Sequence, residues 1–221
     1  MSTPLEKARK DPESMKARIL SVARRIFGEY GFHGTTTRMI AQEVGIDIST
    51  LHYHWGGKKD LYESVVVDIN KDLGQELIEA EKAIHGLPLA ERLAISIDMM
   101  TDYLFANPDI SNMILFRYFG KTRYEGNLDF SVPEFTADIA RSMGLARDKK
   151  NVPPETTMKV LAVMNSIHAF ISGENFFCPM VKVDRKRYIA LVKETLKFIH
   201  IPAFTQNEAK QGRRPSVRLF S

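Results

Sequence analysis

Residues 31–62 read GFHGTTTRMIAQEVGIDISTLHYHWGGKKDLY, and the fold follows from them. Gly31 stops an amphipathic segment, Ser14–Tyr30, in which Ile19, Val22, Ala23, Ile26 and Phe27 recur at helical spacing. Thr36 or Thr37 can cap a second, short helix carrying Ile40, Ala41 and Val44, which Gly45 ends. Asp47 is the expected N-cap of a third, because its carboxylate accepts from free N–H groups and suits the positive helix end. Two short helices joined by a Gly turn have the spacing of a helix-turn-helix. At about 100° per residue, Ile48, Leu51 and Trp55 share one side of the third helix and should bury. Ser49, Thr50 and Tyr53 point away, flanked by His52 and His54. This outer face is polar, aromatic and free of acid, and it fits base edges and sugar-phosphate in a major groove. Lys58 and Lys59 open the next helix, where free N–H groups and the dipole already favour an anion, and Arg38 reaches a phosphate or a guanine edge.

Charge is distributed to match. Residues 1–60 hold ten Lys and Arg against seven Asp and Glu, residues 61–202 seventeen against nineteen, and residues 203–221 four against one. The overall excess of +4 therefore sits at the two ends, a mild surplus that suits a polyanion. With 44% hydrophobic and 26% charged residues, the 221-residue chain is an ordinary globular sequence, and disordered or fibrous classes are excluded. Its one cysteine, Cys178 between Phe177 and Pro179, excludes an internal disulfide framework and a cysteine-rich zinc site and reads as an inert thiol. His52 and His54 diverge at i, i+2 on a helix, which is poor chelating geometry, so no metal is expected. The polar start shows no signal peptide, and the longest apolar run, Val160 to Gly173, is too short to span a bilayer. A soluble, cytoplasmic protein is expected.

Residues Gly31 to Tyr62 resemble the DNA-binding signature of the TetR (tetracycline-repressor-like) transcription regulators. In that family an aromatic-Gly turn leads to a Thr-Thr helix start, an Ile-Ala pair and a Gly turn, followed by a Thr-Leu-Tyr-aromatic-His-Phe recognition helix that ends in a Lys. The resemblance implies DNA contacts at Thr37, Arg38, Thr50, His52, Tyr53, His54 and Lys58, with Ser49 on the same face. Arg38, Thr50 and His54 would lie nearest base edges, and Thr37, His52, Tyr53 and Lys58 nearest the backbone. His52 stands in place of the usual Tyr, Ser49 of a common Gly, Trp55 of Phe, and Met39 of a capping-box acid. Beyond the first helix and this stretch, the likeness extends only to length and all-α character.

Outside the head, helical spacing dominates and Pro or Gly punctuates it, at Gly86-Leu87-Pro88, Asn107-Pro108, Val132-Pro133, Pro153-Pro154, Pro179 and Pro202. The expected architecture is all-α with about nine helices. A three-helix head occupies residues 1–57, of which 1–12 form a disordered arm in which Lys7, Arg9 and Lys10 could touch DNA. An effector-binding and dimerisation domain spans 58–202, and a flexible basic tail covers 203–221, including Lys210 to Arg218. The polar stretch Gly120 to Val132 is expected to be a mobile loop. Helix Pro154–Phe177 is apolar nearly all round and must be covered on both sides. With Asp184–His200, whose Arg185, Arg187, Lys193 and Lys197 should lie outside, it forms the expected homodimer interface. Met99, Met100, Tyr103, Met113, Phe116, Met164, Asn165 and His168 are the expected lining of a pocket for a small hydrophobic or aromatic effector.

These readings predict a homodimeric, ligand-responsive repressor of a palindromic operator in double-stranded DNA, without a cofactor. An enzyme is disfavoured, since the sequence holds no Walker loop, nucleophile elbow, zinc spacing or dinucleotide turn, although paired carboxylates could meet across helices. A helical adaptor that binds only protein is the third class, and DNA footprinting separates it from a regulator.

Overall fold

The computed structural model describes residues 2–119 and 130–211, and among them all regular structure is helical. Eleven helices follow in order: α1 Pro4–Lys10, α2 Met15–Gly34, α3 Thr37–Val44, α4 Ile48–Trp55, α5 Lys58–Ile84, α6 Leu89–Ala106, α7 Pro108–Phe119, α8 Val132–Ser142, α9 Pro154–Ser172, α10 Glu174–Val181 and α11 Arg185–Gln211. None is long and apolar enough to cross a membrane, and the described residues include no cluster of metal-binding side chains.

The head forms as its punctuation dictates. Within α2, Gly31 takes φ 67°, so the helix proper ends at Tyr30 and a final turn runs on to Gly34. Thr36 accepts from the Met39 N–H and caps α3. Gly45, at φ 79°, donates to the Ala41 and Gln42 carbonyls and turns the chain in a left-handed conformation that an L side chain rarely adopts. Phe27, Ile40 and Leu51 are fully enclosed, and Trp55, nearly so, donates its ring N–H to the Lys16 carbonyl at 3.3 Å.

α5 leads from the head into the body, where α6 packs between α5 and α11, and α9 packs against α7 and α8. The seam between head and body is α2 on α7. The two approach so closely at Gly28 that a Cβ there would stand 2.9 Å from the Asp109 Cα. Charge reinforces this seam. Arg24 of α2 reaches Asp68 and Asp72 of α5 at 2.7 and 2.6 Å and Asp109 of α7 at 3.1 Å.

Five departures from the sequence reading have local causes. Of the arm expected over 1–12, residues 2–12 are described and are not disordered: Thr3 and Glu6 form a capping box, Leu5 and Ala8 bury against α2, and Arg9 binds Asp68 and Asp72 at 2.5 and 3.0 Å. The helix expected over 154–177 breaks at Gly173, where any side chain would collide with Phe177, and α10 starts there; α1 and α10 raise the count from about nine to eleven. α11 does not stop near His200. It carries Pro202 internally and continues to Gln211, with Phe204 buried among Ile84, Leu89, Leu93 and Met143. Residues 203–211 of the expected tail are therefore helical, and 212–221 lie outside the described residues. Of the expected mobile loop, 120–129 also lie outside them, Phe130 is buried, and Val132 begins α8. Last, Lys193 and Lys197 are not free outer charges: they pair with Asp102 and Asp98 and pin α11 to α6.

Candidate nucleic-acid interface and apolar cavity

Asp47 organises the start of α4. Its carboxylate accepts from the Thr50 N–H at 2.7 Å, from the Thr50 hydroxyl at 2.9 Å and from the Ser49 hydroxyl. These bonds, the Ser49 one foremost, hold the Asp47 carboxyl down to about 2, so it stays ionised as a cap. Both hydroxyls are thereby engaged as donors and turn acceptor lone pairs outward, which suits a base-edge amino group. Tyr53 is 84% exposed, and His52 is exposed beside it. His54 packs edge-on to Tyr53, its ring 5.2 Å away, and its Nδ1 accepts from the Lys16 ammonium at 2.8 Å. Partial burial and then the Lys16 charge lower the His54 pKa, so the ring is neutral and leaves an Nε2–H free to donate.

Thr37 and Arg38 lie in the first turn of α3, with Arg38 exposed. Lys58 sits over the Phe32 ring at 4.4 Å, at the first residue of α5. Desolvation there lowers its pKa, but the cation–π contact holds the ammonium beside the positive helix end. The expected interface residues are thus carried by α3, α4 and the first residue of α5. Lys16, which the sequence reading omitted, joins them through His54. Its signal was the N-terminal turn of α2, which that reading treated only as the approach to a core stripe.

A second site lies in the body. An apolar cavity of about 350 Å3, partly open to solvent, is lined mainly by α5, α6, α8 and α9, with Phe204 of α11 also in its wall. Leu73, Ile97, Phe135, Ile139 and Ile167 are among its walls. Polar groups are few. The Ser96 hydroxyl is buried without a hydrogen-bond partner, and His168 bonds Ser111 through Nδ1 at 2.9 Å. Asp138 and Lys149 form an ion pair at the rim. Burial presses the His168 pKa down to about 4, so the imidazole in this wall is neutral.

Of the expected lining residues, Met100, Met164 and His168 border this cavity. The other five do not. Met113 is spent on the buried core beside Ile110, because α7 turns that face to α2. Phe116 lies across Gly31 at the head–body seam. Tyr103 stands by the Arg24 cluster, where burial and then the Asp72 charge push its phenol up to about 12. Met99 is half-buried on α6 outside the cavity. Asn165 is exposed on the outer face of α9, in line with Met158, Ala162 and Ala169. The missing wall comes from α5 and α8. Val132, Phe135 and Ile139 are spaced as one helical face of α8, the signal that could have found it.

The α9–α11 side of the body carries an apolar surface. Phe198 is 81% exposed, and Met158, Phe176, Met180 and Ile199 are exposed with it.

Residues 19–65 match a family model described as "Bacterial regulatory proteins, tetR family". Over 145 residues, 66% of this chain and 72% of the relative, the sequence is 23% identical to the HTH-type transcriptional regulator UidR of Escherichia coli (strain K12). Over 52 residues, 24% of this chain and 28% of the relative, it is 42% identical to IcaR of Staphylococcus aureus (strain Newman), the HTH-type negative transcriptional regulator of a biofilm operon. The fold is similar to that of the transcriptional regulator FadR from Bacillus subtilis, solved in complex with stearoyl-CoA. That likeness has a TM-score of 0.52 at 16% identity and covers 83% of this chain and 97% of that one.

Proposed function

The chain belongs to the TetR family of transcription regulators, and from that premise we propose that it is a homodimeric repressor released from a palindromic operator by an apolar effector. The observation that carries this reading is the pairing of two sites on one helix. α5 begins with Lys58, separated by two residues from the polar α4, and its later turns wall an apolar cavity. Arg38, Thr50 and His54 would read base edges, with Ser49 on the same face, while Thr37, His52, Tyr53 and Lys58 would hold the sugar-phosphate backbone. Helices α9 and α11 would meet their copies through Met158, Phe198 and Ile199, setting two copies of α4 about 34–36 Å apart, one turn of the duplex.

The effector would fill the cavity with hydrocarbon and offer one polar group to Ser96 or His168. A ligand that favours a body geometry with the wrong α4 spacing lowers operator affinity by its differential binding, and coupling of about 1–3 kcal/mol, 5–150-fold, suffices. Since a relative in fold was solved with stearoyl-CoA, long acyl chains belong among the compounds tried.

The test is footprinting on DNA flanking the chain's own gene, repeated with a panel of hydrophobic compounds. A protected inverted repeat that one compound class releases supports the reading; absence of any preferred duplex overturns it. On the protected site, Lys58→Ala should weaken binding to all sequences and reduce the salt slope by about 0.9, one phosphate's worth. Thr50→Ala should change the base preferred at one position in each half-site and leave that slope intact.

A further inference from the structure

α1 sorts its charges in two directions. Leu5 and Ala8 bury, and Arg9 turns to the α5 carboxylates Asp68 and Asp72. Lys7 and Lys10, three residues apart and so on one face, enter no ion pair among the described residues. They line a cleft of about 400 Å3 between α1 and the start of α2, whose walls also include Asp11, Ser14, Lys16 and His54. Asp11 is the acid in this lining, and its carboxylate accepts from the Glu13 N–H. His54 belongs to the last turn of α4, so the cleft opens directly beside the helix that reads DNA. Lys16 is held at this junction by its bond to the His54 Nδ1 at 2.8 Å.

We infer that this cleft is a second phosphate-binding site, which takes backbone phosphates of the duplex outside the half-site that α4 reads. The inference rests on the DNA-binding reading above and extends it. Three lysines lining one cleft, with a single acid among its walls, favour an anion; a phosphodiester meets that need without base specificity. Arg9 takes no part, because Asp68 and Asp72 already neutralise it. Its role is to fix α1 so that Lys7 and Lys10 stand at a set distance from α4. The family model begins at residue 19, and both lysines precede it.

The experiment uses the full chain and a duplex bearing the footprinted site. Affinity is measured across salt concentrations for the wild type, Lys7→Ala/Lys10→Ala and Lys7→Arg/Lys10→Arg. The alanine pair should lower affinity for all duplexes by about tenfold or more at low salt and reduce the salt slope by about 1–2, with base preference unchanged. Hydroxyl-radical protection should shrink only at the outer phosphates, and the arginine pair should restore it. Inorganic phosphate, added at matched ionic strength, should leave the wild-type advantage in place. If it abolishes that advantage, the cleft takes free phosphate and the duplex assignment is wrong. An unchanged slope and footprint in the alanine pair overturns the cleft while leaving DNA binding intact. A wild type that protects no duplex overturns the DNA reading itself.

Discussion

His168 is buried as a neutral ring against Ser111, and folding must keep a proton off it. Its pKa falls from the ordinary 6.5 to about 4, so the unfolded chain binds the proton more readily than the folded one. The contribution is fully present above pH 6.5 and is lost as pH falls towards 4. At 1.36 kcal/mol per pH unit it amounts to about 3 kcal/mol. Between pH 6.5 and 4 the unfolding free energy from urea titrations should fall by that amount more in the wild type than in His168→Gln, since His54 and His200, also lowered, remain in both proteins. Equal falls would show that the ring is protonated in the fold. At this scale the sequence was legible where a residue acts on its neighbours. Asp47 as cap, Gly45 as turn and Trp55 as core follow from residues within one helical turn. Lys16 and Arg9 were not legible as site and anchor, because their partners, His54, Asp68 and Asp72, lie 38 to 63 residues away.

Between elements, α2 and α7 approach closely at Gly28. Gly28→Ala places a methyl against the Asp109 backbone, which cannot rotate aside, so the helices must part and the Arg24–Asp109 contact stretches. A loss of about 1–3 kcal/mol in chemical denaturation is expected, although alanine has the better helix propensity. A more stable variant would show that the seam is slack. Helix positions were largely legible, because Gly and Pro mark most of their ends. The exceptions are instructive. Pro202 looked like a stop, but burial of Phe204 carries α11 past it. The Met and Phe stripes of α6 and α7 read as the pocket lining, but Met113 is buried in the core, and much of the cavity wall beside Met100 comes from α5 and α8. Periodicity states which face is apolar, not which neighbour covers it.

For the whole molecule, the exposed apolar side of α9 and α11 makes assembly testable apart from folding. Phe198 is so exposed that Phe198→Glu should leave the monomer's thermal midpoint within a few degrees, while abolishing the proposed dimer in sedimentation and, with it, tight binding to the proposed operator. A dimer that survives the charge would move the interface elsewhere. A further consequence lies in where α5 is held. Its 27 residues form a rod of about 40 Å, and Asp68 and Asp72 clamp it partway along to α1, α2 and, through Arg24, α7. In the proposed mechanism that clamp would serve as a fulcrum midway between Asp68 and Asp72, with arms of about 18 Å towards Lys58 and about 21 Å towards Ile84. Pushing the cavity end sideways by about 4 Å would swing the other end the opposite way by about 3.4 Å, the rise of one base step along a strand. A swollen cavity need not unfold anything to put the protein out of register with its duplex.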